Sequence, residues 1–309
     1  APVLYNRYEG GVTPMLPTER ISFSAITERE PLKLPDGKRM VVWVIVNIEE
    51  WDPKETMPRT VLTPPAGGSP SPDIPNWAWH EYGNRVGFWR LLEILDNHGI
   101  KAVLAVNGKA VTTYEAISRA ALERGWEFMG HGFGQKNMQK VPDERADIRA
   151  TADAIQAFTG KLPRGWLGPG LTETWETPDL LVEEGFGYVC DWVLDDEPVV
   201  LKTRTRPIVN VPYTQECNDV AMMLIQHHKA SEYHDRAMDQ FHQLYHDSAN
   251  SARVMALVVH PYIMGAPHRA AHFRRILEKI SSLPDVAFWT GEQIYDWYLG
   301  QRPDALKGQ

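Results

Sequence analysis

The stretch Met40-Val41-Val42-Trp43-Val44-Ile45-Val46-Asn47-Ile48-Glu49-Glu50 sets the reading of the whole chain. Val41, Val42, Val44, Ile45 and Val46 are β-branched, and the run Met40–Ile48 is apolar on both of the faces that alternate along a strand. A strand with one side in water would alternate apolar with polar. One apolar on both sides fits a buried strand of a parallel sheet. The run is too short to span a bilayer. Two acids, Glu49 and Glu50, follow it directly.

Outward from this strand, strands and helices alternate to the C-terminus. Strands are expected over Lys101–Val106, Trp126–Met129, Gly187–Cys190, Ile208–Val211, Val254–Val259 and Val286–Phe288. Helical spacing of apolar residues marks Val86–Asn97, Tyr114–Arg124, Asp143–Phe158, Asp179–Glu184, Ser231–Ala249, Arg269–Ile280 and Glu292–Leu299. Alternation on this scale implies a parallel sheet with helical crossovers. Residues 1–38, polar and Pro-rich, read as an N-terminal arm; 39–300 form one domain, and 301–309 a C-terminal tail. Residues 52–79 hold Pro53, Pro58, Pro64, Pro65, Pro70, Pro72 and Pro75 with Gly67 and Gly68, and read as a long structureless loop. Loops of that length are usually lids or flexible segments.

The chain has 309 residues, 43% hydrophobic and 23% charged, enough to bury a sizeable core. Its net charge of −8 and the lack of a basic run interleaved with aromatics argue against a nucleic-acid partner. Cys190 and Cys217 have no metal-type spacing and read as two reduced core thiols. No signal-like segment opens the sequence, so the expected compartment is the cytoplasm, although numbering from Ala1 leaves room for a signal removed earlier. No membrane partner is expected, and a homo-oligomer is.

Polar residues cluster at one kind of place. Glu49 and Glu50 follow the first strand, Asn107 the second, His131 the third, Asp191 the fourth and His260 the late strand Val254–Val259. In a barrel those strand ends converge on one mouth, where active sites form. A lone histidine after a strand is usually structural; the joint pattern favours a site. Successive side chains alternate in direction, so Glu49 and Glu50 need not point the same way. One could act as general base while the other meets a metal or orients a partner. His131 and His260 fit metal ligands, or a general acid and an oxyanion stabiliser. Arg164 could hold a carboxylate. The loops Gly165–Gly170 and Tyr262–Arg269 could bring backbone donors to a ligand, and Trp51, Trp77, Trp79, Trp166 and Trp192 could wall a flat ring.

These residues resemble the polysaccharide-deacetylase-like superfamily. In that family the first strand ends in an Asp-Asp pair, a base and then a metal ligand; Val46-Asn47-Ile48-Glu49-Glu50 is similar, with both acids lengthened. The family motif His-Ser/Thr-x-x-His is matched by His131-Gly132-Phe133-Gly134-Gln135, with Gln135 in place of the second histidine. Leu257-Val258-Val259-His260 resembles the late Leu-x-x-His motif. These variations, with Glu81–Arg90 and Pro212–Asp219, resemble the allantoinase-like branch, which acts on small cyclic amides.

The resemblance implies a single-domain α/β fold, a distorted TIM-like (β/α) barrel of seven or so strands, and amide-bond hydrolysis. It implies Glu49, Glu50 and His260 as catalytic residues. Glu50, His131 and Gln135 would be the ligands of one divalent metal. A neutral amide is a poor Zn²⁺ ligand, so Mn²⁺ or Mg²⁺ is as reasonable, and a metal-free route with Glu49 activating water stands beside both. Arg85, Asn107, Trp166, Asp191, Asn218 and Arg269 are the expected substrate contacts. The expected substrate is a small cyclic amide, ureide or imide. The alternatives are an N-acetyl sugar, or a silent barrel that only binds a small ligand. Glu49, Glu50, His131 and His260 are expected to share one pocket, covered by 52–79.

Overall fold

The computed structural model of the protein describes residues 14–68 and 70–307. Among the described residues nine strands form one sheet: β1 (Met40–Ile48), β2 (Val103–Val106), β3 (Glu127–Gly130), β4 (Gly165–Trp166), β5 (Tyr188–Val189), β6 (Val199–Leu201), β7 (Ile208–Asn210), β8 (Arg253–Val259) and β9 (Val286–Phe288). The spatial order is β6-β7-β5-β4-β3-β2-β1-β8, and every pairing is parallel except β6 with β7. One edge of β1 carries β9 on its first half, Met40 opposite Val286, and β2 on its second, Ile45 opposite Val103. A single bridge, Asn218 to Val258, brings the irregular chain after β7 alongside β8. The result is a distorted (β/α) barrel whose wall is part strand and part loop.

All of β1 is buried, and its two faces do different work. Met40, Val42, Val44, Val46 and Ile48 pack outward with helix residues such as Phe88, Leu91 and Phe273. Val41, Trp43 and Ile45 face inward with Val103, Ala105, Met129, Val209, Val254, Ala256 and Val258. Continuing that inward face by steps of two gives Asn47 and then Glu49. The alternation that makes β1 a core strand thus turns Glu49, and not Glu50, toward the barrel axis.

Two elements were absent from the strand pattern. β4 and β6 are too short to show a period. The segment 52–79 is not wholly structureless: Ile74–Tyr82 is a helix capped by Asp73, whose carboxylate accepts from Asn76 N at 3.3 Å. Pro75 does not break it, because a first-turn position needs no amide donor. A short helix, Gly108–Thr113, also precedes the expected one, which itself spans Glu115–Glu123. Of the N-terminal arm, residues 1–13 lie outside the described part. Beyond them, Leu32 and Leu34 are buried in the inner core, and Arg20 pairs with Asp179 at 2.6 Å in a buried bridge. Cys190 and Cys217 are free and buried. No described helix is long and apolar enough to cross a membrane.

Candidate active site

The C-terminal ends of β1, β2, β3, β4 and β8 deliver Glu49, Asn107, His131, Leu167 and His260 to one mouth. There a small cavity of about 50 Å³ is lined by Glu49, His131 and His260, with Asn47, Arg59, Gln135, Tyr213 and Asn218 around them. A larger cleft, about 460 Å³, opens between Arg20, Gln139, Glu173, Trp175 and Trp192. It holds no imidazole, and its Arg20 is spent on Asp179 and on the carbonyls of Lys202 and Trp175. The chemistry converges at the smaller one.

Glu49 is 1% exposed and held from several sides. Trp51 Nε1 donates to its Oε2 at 2.7 Å and Gln135 Nε2 to its Oε1 at 3.0 Å. The same Oε1 lies 3.6 Å from His260 Nε2 and 3.9 Å from His131 Nε2, too far for good hydrogen bonds but close for charge. Burial pushes its pKa up; His131, His260 and Arg59 outweigh burial and hold the carboxyl well below the ordinary carboxylate range. Behind Trp51 stands an aromatic wall: His80 stacks on it at 4.3 Å, and Tyr262 meets it edge-on at 5.4 Å. Burial lowers the His80 pKa to about 4, so this imidazole stays neutral.

The two site histidines are backed differently. His131 Nδ1 lies 2.6 Å from Leu167 O, a carbonyl that only accepts, so Nδ1 carries the proton and Nε2 faces the cavity. His260 Nδ1 lies 2.6 Å from Asp219 Oδ1, and its backbone N donates to Asp219 Oδ2 at 2.8 Å. A carboxylate behind the ring stabilises an imidazolium; a neutral carbonyl does so far less. His260 is the better proton donor of the pair.

The loop that carries His260 is seated by glycines. A Cβ on Gly87 would lie 2.2 Å from Pro261 O, and one on Gly265 2.3 Å from the same oxygen. The bulged turn Gly83–Gly87 and the loop after β8 therefore touch backbone to backbone. In that turn Arg85 is exposed, while buried Asn84 donates to Glu49 O at 3.4 Å.

The other expected site residues divide between the cavity and its surroundings. Asn218 and Gln135 line it. Asn107 sits one layer behind, accepting from Glu50 N at 2.9 Å and donating to Gln135 Oε1 at 3.1 Å and to His131 O. Asp191 is also behind, accepting from Gly168 N at 2.7 Å. Its other oxygen is buried without a partner. Burial, opposed by the Gly168 hydrogen bond, raises its pKa to about 7, and neighbouring Glu173 is pushed well above its ordinary value. Trp166 is core, packed on Phe186. Arg269 is half-buried, donating to Ile263 O at 3.4 Å. Arg164 pairs with Asp296 at 2.6 Å on the exposed side. None of Trp51, Trp77, Trp79, Trp166 and Trp192 lines the cavity.

Glu50 is outside the cavity, partly exposed; burial raises its pKa and Lys109 opposes that. This bears on a metal. Of the trio Glu50, His131 and Gln135, the first points away and the last has both ends of its amide committed, to Glu49 and to Asn107. Glu49 itself already accepts from two N–H groups. No group of three or more His, Cys, Asp or Glu side chains with metal-binding geometry occurs among the described residues. The donor set does not fit a divalent ion.

Sequence reasoning missed Asp219 and Arg59. Asp219 adjoined a selected residue, Asn218. Arg59 sat in a Pro-rich segment with no pattern to mark it.

The polysaccharide deacetylase family model matches residues 79–189 of the chain. A Schizosaccharomyces pombe protein assigned as a polysaccharide deacetylase is 26% identical over 305 residues, covering 87% of this chain and 93% of that one. A Pseudomonas aeruginosa structure assigned to the same class superposes with a TM-score of 0.79 at 24% identity, over 89% of this chain and 96% of that one. An allantoinase structure superposes with a TM-score of 0.77 at 24% identity, over 87% and 93%.

Proposed function

We propose that the chain hydrolyses an amide C–N bond with water activated by Glu49 and a leaving nitrogen protonated by His260, without a metal. The observation that carries the reading is Glu49 Oε1 standing 3.6 Å from His260 Nε2 while Asp219 backs the other side of the ring. A buried carboxylate kept ionised is a base, and an imidazole with a carboxylate behind it is an acid. Water held between Glu49 and His131 gives a proton to Glu49 as its oxygen bonds to the carbonyl carbon. The C=O π pair moves onto oxygen. On collapse the C–N pair leaves with nitrogen, which takes the proton of His260. The proton on Glu49 then replaces the one His260 gave, and one water is consumed.

The substrate we favour is the acetyl amide of an N-acetylated amino sugar. The family match and the descriptions of its relatives support this, and a cavity of about 50 Å³ suits an acetyl group with the sugar ring at its mouth. A second reading, a small cyclic ureide or imide, is favoured by Arg59, which brings the segment after β1 into the cavity wall as a cover would. One panel separates them: diacetylchitobiose, allantoin and succinimide, each with and without chelator. Acetate release from diacetylchitobiose, unchanged by chelator, is expected. Turnover of only the rings would replace the first substrate with the second. Turnover of none would leave a silent binding barrel, and loss of activity with chelator would overturn the metal-free route.

A further inference from the structure

We propose that Arg59 is a catalytic residue whose guanidinium takes the negative charge that forms on the carbonyl oxygen when water attacks. The inference rests on the reading that this site hydrolyses an amide. Arg59 comes from the segment after β1 and lines the cavity that Glu49, His131 and His260 line; it is the one Arg or Lys side chain among the described lining residues. Its Nε is buried and has no hydrogen-bond partner. The hydroxyl of Tyr262 is close enough to interact with the guanidinium, and it too is buried with no partner of hydrogen-bond geometry. Neither nearby acid closes on the guanidinium: Glu49 is taken up by Trp51 and Gln135, and Asp219 by His260. A buried N–H with no acceptor is rare in folded proteins and marks a place where another acceptor belongs.

Amide hydrolysis requires such a donor. As the water oxygen bonds to carbon, an electron pair moves onto the carbonyl oxygen, and that charge needs fixed positive groups around it in a dry site. Several other donors around the cavity are committed. Asp191 holds the Gly168 N–H, Leu167 O holds the His131 Nδ1–H, and His260 Nε2 is needed at the leaving nitrogen. A divalent ion would meet the need, but the donor set does not gather one. Arg59 supplies the charge instead and neither gains nor loses a proton: water's proton goes to Glu49, and the oxyanion's pair returns to carbon as the C–N pair leaves.

Two variants and a binding probe test this. On a substrate that the wild type hydrolyses, Arg59→Gln is expected to lower kcat by about 10²–10³-fold, as loss of one oxyanion donor does, with KM little changed. Arg59→Lys keeps the charge but not the planar fork, and is expected to recover part of that loss. Titration with methylphosphonate, a tetrahedral anion, is expected to show binding to the wild type that weakens at least about tenfold in Arg59→Gln, the loss expected for a charged hydrogen bond. Arg59→Gln protein that melts normally and keeps its kcat, or binds methylphosphonate like the wild type, would overturn the proposal while leaving the hydrolytic reading intact. Arg59-dependent methylphosphonate binding in a protein that hydrolyses no amide would sink both, leaving Arg59 an anion contact only.

Discussion

Asp219 meets His260 with both carboxylate oxygens, Oδ1 at 2.6 Å from the ring Nδ1 and Oδ2 at 2.8 Å from the backbone N. The pair fixes both the ring's tautomer and its place on the chain. Asp219→Asn leaves one acceptor for two donors and removes the negative charge behind the ring. Initial-rate kinetics are expected to show kcat reduced by about 10²–10⁴-fold, the usual worth of a general acid. KM is expected to stay near its original value, since Asp219 is not at the cavity surface. A large rise in KM with normal kcat would mean that His260 binds substrate and transfers no proton.

Gly265→Ala tests how that histidine is seated. The new methyl would lie 2.3 Å from Pro261 O and 2.5 Å from Gly87 Cα, and neither is a side chain that can swing away. Forced overpacking of this kind typically costs about 1–3 kcal/mol. Denaturant melts should register that loss, and activity should drop in the folded fraction because His260 precedes the displaced loop. Unchanged stability would show that the loop and the turn Gly83–Gly87 can separate freely.

The Asp191–Glu173 pair gives the stability curve a direction. With its pKa raised to about 7, native Asp191 keeps a proton that the unfolded chain has already lost at lower pH. Its contribution is therefore complete below the unfolded carboxylate range and disappears as pH rises through about 7. The melting temperature is expected to fall between pH 5 and pH 8, by several degrees at about 2–4 °C per kcal/mol. Asp191→Asn keeps an acceptor for Gly168 N and offers a donor toward Glu173, so the variant's slope should be flatter. An equally steep slope in Asp191→Asn would assign the dependence to other groups.

Most of the frame was legible because its signals are local. β1 begins and ends where the apolar run Met40–Ile48 does, and Asp143 with Gly160 bounds the helix Glu144–Thr159 because one accepts from Ala146 N and the other adopts φ 78°. β4 was not legible: two residues, Gly165 and Trp166, carry no period and are strand only because β3 and β5 flank them. The site divides the same way. Strand ends announced Glu49, His131 and His260. Pointing direction separated Glu50 from Glu49, and only the register of β1 fixes that. Asp219 and Arg59 come from irregular chain, and tertiary packing alone brings them to the mouth.

Glu49→Gln tests the central claim most directly. The variant keeps the size and most of the hydrogen-bonding reach of the side chain but removes its basicity. The environment holds the Glu49 carboxyl well below the ordinary range, so the wild-type rate should not fall through mild acid on its account. With melting temperature and substrate binding measured alongside kcat on the panel's active substrate, the variant is expected to fold and bind while kcat drops about 10²–10⁴-fold. A Glu49→Gln protein that melts normally and keeps most of its kcat would contradict the account, since no other carboxylate lines the cavity among the described residues.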